Sequence, residues 1–139
     1  MSVGVATVRL RVSTQGDGEL LDLTQQVDEA VKQSHFQEGV AVVFIPGSTA
    51  GVTTAEFEPG VVHDFRTVLT QLIPPDRRYW HNRIDDNGHA HVQAALLGPS
   101  VAVPFSHHAL LLGTWQQIVL VDFDTHPRQR EVICQILGE

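Results

Sequence analysis

The period of apolar and polar positions changes several times along the chain, and each change marks a predicted element. Residues 8–12 (VRLRV) alternate, which is typical of a half-buried strand. Residues 40–45 (VAVVFI) form a short apolar run, which predicts a buried strand that ends at Pro46 and Gly47. The segment that follows, residues 46–56 (PGSTAGVTTAE), is rich in small and hydroxyl-bearing side chains and is predicted to be a loop.

Two segments before residue 75 carry apolar residues at helical spacing. One begins around Asp22 or Thr24, either of which can cap it, and Gly39 is expected to stop it. The other has Pro59 in its first turn and continues until Pro74-Pro75.

The remainder of the chain is predicted to contain one more helix and several strands. The helix covers about residues 88–97, with Asp86 or Asn87 as its cap. The predicted strands, joined by short turns, are residues 100–105, 109–113, 114–123 and 130–137. This order of elements predicts an α+β fold with mostly antiparallel pairing, in a single domain that spans residues 1–139.

The predicted strand at residues 114–123 (TWQQIVLVDF) has apolar side chains on both of its faces. Such a strand is buried on two sides, either inside a sandwich or against another subunit. Trp115, near its start, is expected to be a core aromatic.

Composition and charge narrow the function classes. A formal net charge of −7 argues against nucleic acid as the main partner, because binding to phosphate backbones needs a basic surface. The one cysteine, Cys134, excludes an intramolecular disulfide and lies among apolar residues, so we expect a buried structural thiol. No segment is apolar for long enough to span a membrane, and the N-terminus does not resemble a signal peptide. We therefore expect a cytoplasmic protein without membrane partners.

The motifs of P-loop nucleotidases, dinucleotide-dependent enzymes, α/β-hydrolases and HExxH zinc proteases are absent from the sequence. Two polar segments remain as candidate sites. In the first, Ser48, Thr49, Thr53 and Thr54 place hydroxyl donors among small residues, which suits a phosphate group. The alternative interpretation of this segment is a plain surface turn.

The second polar segment holds five of the eight histidines, between His81 and His108. Neutral imidazoles can bind a divalent metal or transfer protons near neutral pH, whereas each histidine taken alone is better explained as structural or solvated. On the predicted third helix, His89 and His91 point about 200° apart, so they cannot share one ion. One of the two is therefore expected to be structural.

Three motifs stand in order along the chain. Residues 48–56 carry a Ser-Thr-Ala-Gly run with a downstream glutamate, and residues 87–104 carry Asn-x-x-Ala-His followed by Gly-x-Ser-x-x-x-Pro. Residues 113–124 begin with Gly-Thr-Trp-Gln. Together they resemble the signatures of the YjbQ-like family, whose members are commonly labelled secondary thiamine-phosphate synthase.

The resemblance implies an α+β sandwich that assembles as a homotrimer, with a polar pocket near the subunit boundary. The implied catalytic residues are Glu56, His81, Asn87 and His91. The implied substrate-binding residues are Ser48, Thr49 and Asp64. A divalent metal, magnesium or zinc, would be bound by His81 and His91.

The implied activity joins a hydroxymethylpyrimidine diphosphate to a thiazole phosphate and releases diphosphate. The sequence departs from the family at Gly47, where a histidine usually precedes the Thr-Ser-Ala-Gly run. Loss of an imidazole at this position is expected to weaken metal binding or activity. Two alternatives therefore stay open: a non-catalytic trimeric module that binds a small anionic metabolite, and a metal-assisted phosphoester hydrolase. In each case the expected partner is a small phosphorylated metabolite.

Overall fold

Two antiparallel β-sheets and three α-helices make up the computed structural model, which describes residues 2–139. The strands are β1 (Gly4–Thr14), β2 (Glu19–Asp22), β3 (Glu38–Phe44), β4 (Ala50–Ala55), β5 (Ser100–Ser106), β6 (Ala109–Leu110), β7 (Gln117–Asp122) and β8 (Arg128–Gly138). The helices are α1 (Thr24–Ser34), α2 (Pro59–Leu72) and α3 (Gly88–Leu97), with a short 3₁₀ helix at Trp80–Arg83. The larger sheet has the order β1-β8-β3-β5-β6, and the smaller has the order β2-β7-β4. The predicted α+β fold with antiparallel pairing and about three helices is confirmed.

β7 is the central strand, because its two faces belong to two different hydrophobic clusters. Ile118 and Leu120 face the larger sheet and α1, and both are fully buried. Val119, Val121 and Phe123 face the opposite way, toward α2 and α3. Full burial of such side chains stabilises the fold by about 1.5–3 kcal/mol each. The two-sided apolar pattern is thus satisfied within one chain, and no second subunit is needed to cover this strand.

α2 begins at the proline that the sequence indicates and is capped by the residue before it. Glu58 accepts hydrogen bonds from the backbone N–H of Gly60 at 2.7 Å and of Val61 at 2.9 Å. Two otherwise free amide groups of the first turn are satisfied in this way. Phe65 and Leu69 then pack on the smaller sheet, so α2 closes the second cluster from outside.

The segment predicted to be a loop contains a strand. Residues 46–49 are irregular, but β4 begins at Ala50 and pairs with β7, with Thr53 opposite Val119. The β-branched run of residues 52–54 favours an extended backbone, and pairing with β7 outweighs the weak turn signals around it. The pattern also does not predict β2, a four-residue strand that pairs with the other side of β7.

Two further expectations are wrong. α1 ends at Ser34 instead of continuing to Gly39, because His35 adopts a left-handed conformation with φ 63°. Trp115 is not a core aromatic. It lies before β7, which begins at Gln117, and 73% of its surface is exposed in the single chain.

The expectations of a buried Cys134 and of a short turn between the strands at residues 100–105 and 109–113 are confirmed. Cys134 is a buried thiol, and burial raises its pKa to about 11. His107 and His108 form the two-residue turn between β5 and β6, and both have the positive φ that such tight hairpins require. Within the described part of the chain, no helix is long and apolar enough to cross a membrane.

A buried ion pair joins the two sheets at one end of the sandwich. Asp122, the last residue of β7, is fully buried, and Arg130 of β8 donates to both of its oxygens, from Nε at 2.8 Å and from Nη2 at 2.9 Å. Thr14, the last residue of β1, donates a further hydrogen bond to Asp122. Because β7 and β8 belong to different sheets, this bidentate pair fixes the position of one sheet on the other.

We expect Arg130→Met to lower the free energy of unfolding by about 3–5 kcal/mol, because the variant leaves a carboxylate buried and unpaired. Chemical denaturation followed by circular dichroism measures this loss. The control is Arg9→Met, which breaks an exposed pair with Glu131 and should cost about 1 kcal/mol or less. The double variant Arg130→Met/Asp122→Asn removes both charges and should recover part of the loss. Equal, small losses from Arg130→Met and Arg9→Met would contradict the assigned role.

Candidate functional site

The loop after β7 holds a second buried carboxylate, Asp124, which is 1% exposed. Its Oδ1 accepts from Asn87 Nδ2 at 3.1 Å and from the backbone N–H of Thr125 at 2.8 Å. Its Oδ2 accepts from Thr49 Oγ1 and from Arg128 Nε, each at 3.0 Å. Both oxygens therefore have two donors, an arrangement that suits the ionised carboxylate.

These contacts set the protonation state of Asp124. Burial by itself raises the pKa of this carboxyl. Hydrogen bonds, led by the one from Asn87, and the charge of Arg128 outweigh burial and lower the pKa from 3.8 to about 2. Asp124 is therefore ionised at neutral pH and can only accept hydrogen bonds.

Asn87 transmits this constraint to His81. Because Asp124 only accepts, Asn87 donates to it through the amide nitrogen, which turns the amide oxygen toward His81. The Nε2 of His81 lies 3.0 Å from that oxygen. Nε2 therefore carries a proton, and in the neutral ring Nδ1 has the free lone pair. Asn87 occupies the cap position of α3 but makes no side-chain capping bond, since its side chain is used in these contacts.

The imidazole of His91 lies against that of His81. The two ring centroids are 4.3 Å apart, and the interplanar angle is 64°. His89, two residues earlier in α3, instead has Tyr79 as its aromatic neighbour, with ring centroids 6.4 Å apart. The structure thus brings together His81, Asn87 and His91, and it directs His89 elsewhere, as the helical spacing predicts.

Ser48 and Thr49 lie in the short segment between β3 and β4. Thr49 is buried, and its hydroxyl donates to Asp124 while it accepts from Arg130 Nη2 at 2.8 Å. Its one proton is committed inside the protein, so Thr49 supports the site instead of offering a free donor. Ser48 is exposed beside it and is the hydroxyl that a substrate can reach.

Gly47, where the resemblance leads us to expect a histidine, has a φ of 122°, a conformation that L-residues rarely adopt. A Cβ at this position would lie 3.2 Å from Nη1 of Arg130. A histidine here would be strained in its backbone and would crowd the guanidinium that holds Asp122 and Thr49. The departure from the family pattern is therefore coupled to the local backbone.

Glu56 and Asp64 lie outside this cluster in the single chain. Glu56 follows β4 and is exposed. Asp64 is on α2, where its side chain is 83% exposed and lies 3.5 Å from His63. Neither carboxylate hydrogen-bonds to the cluster within residues 2–139.

The donor set does not fit a resident metal. Residues 2–139 contain no group of three or more His, Cys, Asp and Glu side chains that could hold a metal ion. Of the two implied ligands, His81 has its Nε2 committed to Asn87, which leaves Nδ1 alone to bind an ion. A divalent ion beside His81 and His91 would therefore need further ligands from a substrate or another subunit.

The residues that hold the site together are not among those that sequence reasoning singles out. They are Asp122, Asp124, Arg128 and Arg130. A signal for them is present in residues 122–130 (DFDTHPRQR), with two acids before a turn and two arginines after it, each pair spaced by two. Residues spaced by two share one face of an extended chain, so the acids and arginines can face each other across the turn.

The fold and the site define an α+β sandwich protein with a carboxylate–amide–imidazole chain at one end of its sheets. Residues 8–139 match the family model described as UPF0047 protein YjbQ-like, and the chain belongs to this family. A UPF0047 protein of Archaeoglobus fulgidus is 37% identical over 130 residues, which are 94% of this chain and 100% of that protein. Another, from Mycobacterium tuberculosis, is 41% identical over 115 residues, which are 81% of this chain and 84% of that protein.

Solved structures agree with this assignment. A YbjQ-like protein of unknown function from Sulfolobus solfataricus superposes with a TM-score of 0.96 at 37% identity, and the match covers 99% of this chain and 100% of that chain. A hypothetical protein from Aeropyrum pernix K1 has a TM-score of 0.91 at 35% identity, with 96% and 99% covered. The YjbQ-like fold expected from the sequence motifs is confirmed.

We expect the ¹⁵N chemical shifts of His81 above neutral pH to show a protonated Nε2 and a bare Nδ1. In Asp124→Asn, residue 124 can also donate, so the amide of Asn87 is no longer held in one orientation and both tautomers of His81 should appear. Asp124 also makes the stability of the fold depend on pH, and the shift of its pKa gives the direction of this dependence. The carboxylate stabilises the fold above its unfolded pKa of 3.8, and this contribution is lost as pH falls through about 2. An unchanged ¹⁵N spectrum of His81 in Asp124→Asn would show that Asp124 does not set the tautomer of His81.

Proposed function

We propose that the protein is a transferase of the thiamine-phosphate synthase type, which acts on small phosphorylated metabolites in the cytoplasm. One observation carries the proposal. The contacts from Asp124 through Asn87 hold His81 in a single tautomer beside His91. An oriented imidazole next to a second one is suited to proton transfer and to hydrogen bonding with phosphate oxygens. The reaction class comes from the family resemblance.

In the proposed reaction, the thiazole nitrogen forms a bond to the methylene carbon of the pyrimidine, while the bond from that carbon to the diphosphate oxygen breaks. The diphosphate leaves with the bonding electrons, so donors that face its oxygens lower the barrier. The half-buried His91 and the exposed Ser48 are the proposed donors. The attacking thiazole nitrogen carries no proton, so this step needs no base. The bare Nδ1 of His81 is proposed to hold the pyrimidine by accepting a hydrogen bond from a donor group on it, and Asp124 keeps this lone pair available through Asn87.

The positive charges of an arginine and of a divalent ion can both stabilise the diphosphate as it leaves. Arg128, whose side chain is 48% exposed, can turn one edge of its guanidinium to a diphosphate while it holds Asp124. A divalent ion that arrives with the diphosphate would meet His91 and Nδ1 of His81, the two implied metal ligands. None of the proposed steps depends on such an ion.

We further propose that the chain forms a homotrimer whose boundary completes the pocket. Large apolar side chains are exposed in the single chain, and clusters of such side chains mark contact surfaces. The most exposed of them are Ile84 (84%), Trp80 (79%), Trp115 (73%) and Val3 (70%). Trp80 and Ile84 flank His81 in the sequence, so the proposed contact surface lies on the segment that also carries this imidazole. Glu56 and Asp64 join the proposed pocket only through such an assembly.

A non-catalytic trimeric module for a small anionic metabolite is the second candidate function, and Gly47 is the observation that favours it. The family's additional imidazole is missing, and the backbone at this position does not favour one. Such a module would keep the donors of the site but would lack part of the proton-transfer machinery. Saturable binding of diphosphate without any turnover would support this candidate.

We expect His91→Ala to lower the rate of thiamine phosphate formation from the two precursors by about 100-fold, since a positioned acid or base contributes on that order. The control His107→Asn removes an exposed imidazole from the turn between β5 and β6, where asparagine tolerates the positive φ, and should leave the rate unchanged. Calorimetry with diphosphate separates binding from turnover in each variant. Complete absence of product with the natural protein would overturn the transferase proposal. Metal-dependent release of phosphate from phosphoesters would point to the hydrolase.

We expect light scattering to give a mass near three chains of 15.3 kDa. Ile84→Arg should shift the protein toward smaller species, because a charge is costly to bury in an apolar contact. Gln33→Arg adds the same charge at an exposed polar position of α1 and serves as the control. A monomer at micromolar concentration would contradict the trimer and would leave Glu56 and Asp64 outside any pocket.

A further inference from the structure

A second cavity lies away from the His81–His91 pair, between α2, α3 and the turn that joins β1 to β2. Its volume is about 80 Å³. Phe65, Leu69 and Phe123 give it apolar walls, and polar groups from all three surrounding elements reach it. It shares no lining residue with the candidate functional site, so it is a separate feature of the molecule.

His89 lines this cavity and is 7% exposed. Its Nδ1 is sealed from solvent and has no hydrogen-bond partner, the one such side-chain atom within residues 2–139. A buried lone pair without a partner is tolerated better than a buried N–H without one, so the proton belongs on Nε2. Burial also lowers the pKa of His89, against the opposing charges of Asp17, Asp86 and Asp124, and so favours the neutral ring. His89 therefore has one free N–H donor.

Arg66 lines the same cavity with donors to spare. Its Nη2 donates to the backbone oxygen of Asp17 at 3.0 Å, which anchors the guanidinium at the rim. Arg66 forms no ion pair with a carboxylate of the described chain. The carboxylate of Asp17 belongs to the same lining and disfavours a ligand with more than one negative charge. The rim therefore suits a single carboxylate.

We propose that this cavity binds a small aromatic monocarboxylate. Its carboxylate pairs with Arg66, its ring lies among Phe65, Leu69 and Phe123, and an acceptor atom on the ring receives the N–H of His89. The enclosed part of the cavity, about 80 Å³, takes only part of such a ring, so the carboxylate and the outer edge of the ring lie at the open rim beside Arg66, and a nucleotide is too large to enter. The proposal is independent of the transferase reaction, because no residue of the His81 cluster takes part.

Three matched probes test this chemistry. Nicotinate has both a carboxylate and a ring nitrogen that accepts a hydrogen bond, benzoate lacks the ring acceptor, and nicotinamide lacks the charge. Titration of the full-length protein, followed by ¹H–¹⁵N NMR, should give saturable shifts at His89 and Phe65 with nicotinate. Binding of each of the other two probes should be roughly tenfold weaker, as expected for the loss of one hydrogen bond or charge contact.

Variants of the cavity test which residue makes each proposed contact with the ligand. Arg66→Gln should remove the preference for nicotinate over nicotinamide, and His89→Phe should remove the preference for nicotinate over benzoate. Arg77→Gln, an exposed arginine that does not line this cavity, should change neither preference. Thermal denaturation checks that each variant is folded. Equal affinity for the three probes, shifts confined to His81 and His91, or no saturable shifts at millimolar probe would overturn the proposal. His91→Ala should leave nicotinate binding intact, which separates this result from that of the transferase test.

Discussion

The polar end of the sandwich depends on the pairing of Asp122 with Arg130. Two buried carboxylates two residues apart repel each other, and each must be compensated before the end of β7 can stay folded. Arg130 pairs with Asp122 directly and also lies 3.9 Å from Asp124. Thr14 and Thr49 supply further hydrogen bonds from β1 and from the segment before β4. Hydrophobic packing is non-directional, so these polar contacts fix how the two sheets align.

The histidine pair takes its geometry from the same constraint. Asp124 orients Asn87, and Asn87 orients His81, so the catalytic candidate is held by a carboxylate that does not itself reach the solvent. The chain is also tight where α3 begins: a Cβ on Gly88 would lie 2.5 Å from the Cβ of Tyr79. This close approach keeps the start of α3 against the 79–83 segment. Packing and hydrogen bonds therefore hold the start of α3 and the ring of His81 in place, although His81 and His91 are only half-buried.

Local patterns predict much of this structure, and contacts between distant segments explain the errors. α3 could be predicted at residues 88–97 because the residues that signal its start and its end are its direct neighbours in the sequence. His81, Asn87 and His91 could be grouped because they are also close in the sequence. The bond from Thr14 to Asp122 spans 108 residues, and no local period indicates such a contact. Trp115 is large and apolar, which favours burial, but hydrophobicity does not specify whether its own chain or another one covers it. The local sequence pattern does not predict β4, because this strand is stabilised by its pairing with β7.

The backbone at Gly47 has a consequence for how members of this family can diverge. A φ of 122° is strained for any side chain, and the space that a Cβ would take lies against Arg130. The substitution Gly47→His would therefore lower the stability of the fold, whatever the imidazole added to the pocket. A loop that carries an imidazole at this position has to leave the left-handed half of φ space, so it would differ from the present loop by a conformational step. A histidine at position 47 is therefore tolerated best in a chain whose loop already has a different backbone conformation.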